Sequence, residues 1–404
     1  MEKIVLKFGG TSLGTIDKIK KVANIVKNRK DKGNSIIVVV SAMSGVTNDL
    51  KEKANSISKN FDDIELDTLL SSGEQVTSSL LSGALNDLGI KARSWLGWQI
   101  PVLTDNNHTA AKILKIRTTE ILKFISEDGV AVIAGFQGIT KNYRITTLGR
   151  GGSDLSAVAF AKFFETESCE IYTDVEGVLT TDPSMNKNAK KIDKISYEEM
   201  LEMASLGAKV MQPSAVQMSM LDDIPIHVKS TFSEKSGTKI ISENDIDNKK
   251  AVTGIAYSKD NAKISIIGVI DKPGVAADVF EPIGENNINI DMVIQNTSLD
   301  GKVANITFTI KQEDLKKTLN TIEKNKKKIN YKKISYNDKL TKVSIIGAGM
   351  IASPGVTHKM FRSLANEKIN ILAISTSEIK ISVLVEDSHT KKAIKALHTT
   401  FKLN

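Results

Sequence analysis

The chain opens with an apolar run, Ile4-Val5-Leu6, that ends in Lys7-Phe8-Gly9-Gly10-Thr11-Ser12. The same passage from apolar run to small and polar residues recurs downstream. Ile36 to Val40 is continuously apolar and leads into Ser41-Ala42-Met43-Ser44-Gly45-Val46-Thr47, while Val130 to Ala134 and Glu170 to Thr173 are further strand-length runs. Such runs suit strands covered on both faces, as in parallel sheets flanked by helices. Between them the period changes. Ile16, Ile19, Val22, Ala23 and Val26 share one face of a helix that Thr15 caps and Gly33 follows. Asp154 to Phe164 predicts a helix begun by Ser153, and Ser196 with Glu199 predicts a capping box opening another that stops near Gly207. This alternation predicts an α/β sandwich with a mainly parallel sheet over residues 1–245.

From residue 251 the pattern changes and repeats. Ser265-Ile266-Ile267-Gly268 returns as Ser344-Ile345-Ile346-Gly347, Pro273-Gly274-Val275 as Pro354-Gly355-Val356, and Ile288-Asn289-Ile290 as Ile369-Asn370-Ile371, a shift of about 80 residues. Each copy reads strand, Pro-Gly turn, helix, strand, strand, helix, the order of a small ferredoxin-like module. The first copy spans 262–337 and finishes with a strand near Lys332 to Tyr336. The second ends at its helix, near Ile394 to Phe401, which leaves a sheet edge open. Val252 to Tyr257 is the segment expected to fill it, so the second module is discontinuous, 251–261 plus 338–404.

Composition narrows the class. With 404 residues, 41% apolar and 25% charged, the chain has room for two or three domains. No apolar run approaches the roughly 18 to 20 residues of a membrane span. A strand beginning at Ile4 leaves no room for a signal peptide, so a cytoplasmic protein is expected. The single cysteine, Cys169, cannot form an internal disulfide and reads as a buried thiol, and 5 histidines offer no metal cluster, so no protein-held metal is expected. The net charge of +8 is thinly spread except between Glu323 and Lys333, a run that reads as solvated surface before it reads as a polynucleotide patch. Neither nucleic acid nor membrane is expected as a partner.

The candidate chemistry lies at strand ends, where open α/β sheets bind ligands. Gly9 and Gly10 let the backbone approach a bulky anion, with their amides toward phosphate oxygens and Lys7 adding charge. The common phosphate loop differs in placing its lysine after the glycines. Further clusters are Ser41 to Thr47, Ser72-Gly73-Glu74, Thr147-Leu148-Gly149-Arg150-Gly151-Gly152-Ser153-Asp154, and Tyr172-Thr173-Asp174-Val175-Glu176-Gly177-Val178 running on to Thr181-Asp182-Pro183, with Gly207-Ala208-Lys209 beyond. Singly, each has a plain structural account: Ser41, Thr47 and Ser153 as caps, Glu74 and Arg150 as surface charges, Asp174 and Asp182 as turn residues. Gly347-Ala348-Gly349 follows a strand as a dinucleotide fingerprint would, but the repeat already explains it and too little chain follows.

Jointly, and in this order, Lys-Phe-Gly-Gly-Thr-Ser, Val-Ser-Ala-Met, Ser-Gly-Glu, Thr-Leu-Gly-Arg-Gly-Gly-Ser-Asp and Tyr-Thr-Asp-Val-Glu-Gly-Val resemble the amino-acid kinase family, in particular its aspartokinase branch. The repeated modules resemble tandem ACT domains, which sense amino acids. The resemblance implies a three-layer amino-acid-kinase sandwich followed by two ferredoxin-like ACT domains. It also implies a monofunctional enzyme that transfers the γ-phosphoryl group of Mg-ATP to the β-carboxylate of L-aspartate, opening lysine, threonine and methionine biosynthesis. By the resemblance, Lys7 and Asp182 are catalytic, Asp182 orienting Lys7. Ser41, Thr47, Glu74, Arg150 and Ser153 bind aspartate, Arg150 gripping a carboxylate and Glu74 meeting the ammonium. Lys7, Gly9, Gly10, Thr173, Asp174, Asp182 and Lys209 surround ATP, whose phosphates and water hold Mg²⁺ without an organic cofactor.

Lysine or threonine, or both, are the implied effectors, contacting Asp271, Gly274, Ala276, Asn289, Asp291 and Gln295 in the first module and Asn370 and Ile371 in the second. A homodimer through the ACT sheets is expected, of full-length chains, because no methionine between Met220 and Met292 offers an internal start. One position departs from the family: Ser184 stands where many members carry an arginine after Asp-Pro. Other readings are a related kinase of glutamate, acetylglutamate or a nucleotide, which lacks the double module; a noncatalytic sensor, against which Lys7, Glu74, Arg150 and Asp182 speak; and a polynucleotide binder resting on the basic run alone.

Overall fold

The computed structural model describes residues 2–208, 210–247, 250–298 and 301–403. The chain divides into two compact units, Met1–Thr180 with Lys190–Lys249, and Thr181–Ala189 with Lys250–Asn404.

In chain order the first unit contains β1 (Lys3–Phe8), α1 (Ile16–Lys30), β2 (Ser35–Val40), α2 (Val46–Ile57), α3 (Asp63–Asp87), β3 (Ala92–Trp95), β4 (Val102–Thr104), β5 (Ile113–Ile116), α4 (Thr119–Ser126), β6 (Val130–Ala134), β7 (Gln137–Ile139) and β8 (Ile145–Thr147). It continues with α5 (Gly152–Phe164), β9 (Cys169–Thr173), β10 (Lys194–Ser196), α6 (Tyr197–Ser205), α7 (Pro213–Leu221), β11 (Ile226–Ser230) and β12 (Thr238–Ile241). The main sheet has eight strands in the order β10-β12-β11-β9-β1-β2-β6-β3, parallel except where β11 meets β12. A smaller sheet, β5-β4-β7-β8, stands apart from it.

Two of the helix-start signals act as expected. Thr15 accepts from Lys18 N at the start of α1, and Ser196 with Glu199 closes a capping box on α6. Strand β1 is central, between β2 and β9. Its alternation sends Ile4, Leu6 and Phe8 into a core cluster shared with Val22 and Val26 of α1 and Leu81 and Leu85 of α3. Lys7, one step out of phase, therefore projects from the other face, toward α5. Cys169 is fully buried on β9, and burial pushes its thiol well above the usual range.

The second unit contains β13 (Gly254–Ile270), α8 (Val275–Glu285), β14 (Val293–Thr297), β15 (Val303–Lys311), α9 (Leu315–Lys324), α10 (Lys326–Ile329), β16 (Lys333–Ile346), α11 (Val356–Asn366), β17 (Ala373–Thr376), β18 (Lys380–Glu386) and α12 (Thr390–Thr400). One antiparallel sheet, β14-β15-β13-β16-β18-β17, runs through both repeats. Separate strands were expected at 252–257 and 332–336. Each is instead part of a longer strand: β13 pairs Gly254 to Tyr257 with Ile346 to Val343, then continues to pair Lys263 to Ile267 with Asn337 to Lys333. The open edge of the second copy is thus covered by chain from upstream. Apolar clusters sit under each half, around Ile264, Val279 and Phe308 in one and Val343, Leu364 and Leu397 in the other.

The segment 181–189 falls outside the first unit, although a domain of 1–245 would include it. The physical reason is Met185, buried in the cluster of Val343 and Leu397. Gly347 and Gly349 also have a packing reason. A Cβ on either would meet the backbone oxygen of Ala251 or Lys250 at 2.4 and 2.5 Å. The basic run is laced by ion pairs, Lys328 with Glu281 at 2.8 Å and Lys326 with Glu323 at 3.5 Å.

Candidate active site

The carboxyl ends of β1 and β2, the middle of α3 and the start of α5 enclose a cleft of about 490 Å³ in the first unit. Lys7, Gly10, Ser41, Thr47, Glu74, Arg150 and Ser153 all line it, so residues spread over 147 positions of sequence meet in one place.

Lys7 is buried, and its Nζ lies 2.5 Å from Asp154 Oδ1, with both side chains 10% exposed. Asp154 Oδ1 gains no aligned hydrogen bond from this approach, so the contact is a charge pair rather than a directed bond. The partner expected for Lys7 was Asp182. Lys7 pairs with Asp154, in the first turn of α5 two residues after Gly152, because β1 packs directly on α5.

The glycine turn is partly as expected. The Gly9 amide, expected to face phosphate, donates to Tyr172 O at 3.1 Å and ties β1 to β9. Gly10 has a different reason to be glycine: a Cβ there would lie 2.7 Å from Ala42 O, and its own carbonyl accepts from Ser44 N at 3.2 Å. Of the lysine and the two glycines, Lys7 and Gly10 line the cleft.

Ser-Gly-Glu has a division of labour. A Cβ on Gly73 would come within 2.8 Å of Ala42 Cβ, so glycine lets α3 approach the loop after β2. Glu74 then accepts from Ala42 N at 2.9 Å through Oε1, while Oε2 is buried without a partner. Burial pushes the Glu74 carboxyl from its ordinary 4.5 up to about 7, the Ala42 amide pulling the other way. An ammonium group arriving in the cleft would satisfy that oxygen.

The structural account of the hydroxyls as caps does not hold. Gly45, with φ 88°, caps α2, and Gly151, with φ 72°, caps α5, neither through a side chain. Ser153 was expected to begin α5 but sits inside its first turn, buried. Arg150 is exposed at the rim and makes no ion pair among the described residues. The neighbouring Gly149 and Gly151 both have positive φ, which presents Arg150 and Ser153 on a sharp turn.

Thr173 and Asp174 end β9, the Thr173 hydroxyl donating to Asp174 Oδ1 at 3.1 Å. Asp182 belongs to the second unit, where its Oδ2 accepts from Tyr257 Oη at 2.9 Å and its Oδ1 from Ser184 N at 2.8 Å. Lys209 lies outside the described residues. Glu170, on β9, is deeply buried. Burial would raise its carboxyl, yet Lys229 at 2.7 Å and Arg29 at 2.6 Å more than offset that and hold it below the usual range.

Of the expected effector residues, Gly274 caps α8 with φ 93°, as Gly355 caps α11 with φ 89°. Asp271 N donates to Lys302 O at 3.0 Å, and Ala276 lies in the first turn of α8. Asp291 is paired with Lys342 of β16, Asn289 is exposed in the same loop, and Gln295 is exposed on the edge strand β14. Asn370 and Ile371 occupy the corresponding loop before β17.

The sequence reading missed Asp67, Thr109 and Lys51, and gave Thr147, though it lies in a motif, no role of its own. Asp67 had a signal: it lies in helical register with Leu70, Glu74, Leu81 and Leu85, a charge on a buried face. Thr109 and Lys51 had none, since only folding brings them to the cleft.

Residues 2–230 match the profile of the "Amino acid kinase family", and residues 264–326 and 343–401 each match that of the "ACT domain". The chain is 45% identical over 407 residues to the aspartate kinase of Pseudomonas fluorescens (strain SBW25), covering 100% of this chain and 98% of that one. It is similar to the structure of E. coli aspartokinase III in complex with lysine and aspartate (T-state), with TM-score 0.77, 25% identity and coverage of 99% and 100%. The aspartate and ADP complex of the same E. coli enzyme (R-state) shares the fold, with TM-score 0.81, 24% identity and coverage of 99% of each chain.

Proposed function

This chain belongs to the amino acid kinase family, and we propose that it transfers the γ-phosphoryl group of ATP to the β-carboxylate of L-aspartate, releasing ADP and 4-phospho-L-aspartate. It is an aspartate kinase with ACT regulatory domains. The observation that carries the residue assignment is the meeting, in one cleft, of the buried Lys7, the half-satisfied carboxyl of Glu74 and the turn that presents Arg150.

A carboxylate is ionised near neutral pH, so the nucleophile needs no general base. What the site must supply is alignment and charge neutralisation. Lys7 meets charge on the transferring phosphoryl oxygens, and Asp154 holds its ammonium at the end of β1. The amino-terminal end of α5 adds its positive dipole. Arg150 grips one carboxylate of aspartate through paired hydrogen bonds. Glu74 Oε2 receives the ammonium, and the hydroxyls of Ser41, Thr47 and Ser153 fix the orientation. Gly10, Thr173 and Asp174 serve the nucleotide, and Asp182 and Lys209 keep the nucleotide-side role that the family resemblance implies. Magnesium enters with ATP, held by phosphate oxygens and water.

Lysine, threonine or both are the proposed effectors, contacting Asp271, Gly274, Ala276, Asn289, Asp291 and Gln295 in the first module and Asn370 and Ile371 in the second. The proposed domains are 1–245, 262–337, and 251–261 with 338–404. The proposed assembly is a homodimer through the ACT sheets, at work in the cytoplasm. Among the described residues no helix is long and apolar enough to cross a membrane.

Trapping the acyl phosphate with hydroxylamine tests the reaction directly. Hydroxamate is expected with ATP and aspartate, and not with glutamate or without an amino acid. Hydroxamate from glutamate alone would overturn the substrate assignment.

A further inference from the structure

Asp67, on α3, is 0% exposed and bonded on both oxygens. Its Oδ1 accepts from the Thr147 hydroxyl at 2.5 Å, its Oδ2 lies 2.8 Å from His108 Nδ1, and the Thr109 amide reaches Oδ1 at 3.1 Å and Oδ2 at 3.0 Å. Neither lysine nor arginine pairs with it among the described residues; His108 is its one basic neighbour. A buried carboxylate held mainly by hydrogen bonds constrains its donors closely, because losing any one leaves charge unsolvated.

Those donors are not remote from the chemistry. Thr109 and Thr147 both line the cleft. Thr109 has a positive φ of 64°, an uncommon conformation for a β-branched residue, and the bidentate hold on its amide supports it. The Thr109 carbonyl lies 3.2 Å from where a Cβ of Gly149 would be, and the Thr147 carbonyl accepts from Ala111 N at 2.9 Å. The loop that Asp67 pins is therefore packed on the turn leading into Arg150.

We infer that Asp67 is a positioning residue for the amino-acid substrate: through Thr109 and Thr147 it sets the turn that presents Arg150, and so governs aspartate affinity rather than phosphoryl transfer. The inference rests on the aspartate reading of this cleft. Nothing in the motif-bearing segments assigns Asp67 such a role. A merely structural carboxylate would, on removal, lower stability and affect both substrates alike.

The test is steady-state kinetics of the full-length chain. Asp67→Asn preserves volume but turns an NH₂ against the Thr109 amide, which faces both oxygens. Expected is a rise in the KM for aspartate of about tenfold, the scale of one charge-assisted hydrogen bond, with kcat and the KM for ATP within about twofold. Thr147→Val removes one donor and should shift the same constant in the same direction, while Thr147→Ser keeps the hydroxyl and should restore it. An unchanged aspartate KM in folded Asp67→Asn would overturn the inference. Should that variant fail to fold, equal aspartate KM values for Thr147→Val and Thr147→Ser would overturn it as well. A wild-type chain that forms no hydroxamate with aspartate would remove the underlying reading, an outcome distinct from either.

Discussion

Lys7 Nζ and Asp154 Oδ1 lie 2.5 Å apart, the one at the end of β1 and the other in the first turn of α5, and each side chain is nine-tenths buried. The pair places a positive charge where the amino-terminal glycine turn meets the helix, and its removal has two separable consequences. Lys7→Ala should cut turnover on the order of a hundredfold or more, as for loss of a preorganised charge at a phosphoryl group. It should also lower stability by about 3 kcal/mol, because Asp154 is left buried without its partner. Initial rates at saturating substrates and urea unfolding read the two effects independently. Near-normal turnover in a folded variant would refute the catalytic assignment.

Arg150 stands exposed at the rim of the cleft and makes no ion pair among the described residues. Replacement by alanine should cost little stability. The KM for aspartate should rise by roughly tenfold to a hundredfold, the range of a charge-assisted hydrogen bond, with kcat largely retained. An aspartate KM equal to that of the wild type would count against the carboxylate role.

Glu74 links stability and binding to pH. Burial raises its carboxyl from 4.5 to about 7 in the folded, ligand-free protein, so between those values the folded state binds the extra proton. The stability it contributes is complete below about pH 4.5 and is lost as pH rises through 7, a change of about 3 kcal/mol. Urea unfolding of wild type and Glu74→Gln at pH 5 and pH 8 should diverge by that order, and parallel profiles would sink the proposal. Aspartate binding should run the other way. Affinity should improve as pH rises through 7, since the ammonium needs the ionised carboxylate, and Glu74→Gln should flatten that dependence.

The two repeats predict effector control. Titrating initial rates with lysine, with threonine and with both together should show inhibition by at least one of these additions. Asp291→Ala, which removes a loop carboxylate paired with Lys342, should weaken it by several-fold while leaving uninhibited turnover near wild type. Full activity throughout the titration would remove the sensing role.

Much of the fold was legible from local patterns. The run at Ile36 to Val40, the helix face of Ile19 to Val26 and the Ser196 capping box each needed only near neighbours, and each is found where expected, although Ile16, placed on the same face, is exposed. The repeat announced two modules of one order. The strands were less legible where continuity was at stake. Nothing in the stretch around Ser258 or Asp338 says whether a strand stops, and in the fold β13 and β16 run on through both halves because each is the other's partner.

The site divides in the same way. Residue types and their order along the chain carried a resemblance to the amino-acid kinase family, and it was through that resemblance that Lys7, Ser41, Thr47, Glu74, Arg150 and Ser153 were named; each alone had a structural account. Partnerships were beyond the order of residues. Which acid meets Lys7, whether Gly9 keeps a free amide, and why Gly73 must lack a side chain depend on how closely α3 and α5 pack on the sheet. Those contacts join segments far apart in sequence, and their geometry follows from side-chain packing across the layers, which no local pattern encodes.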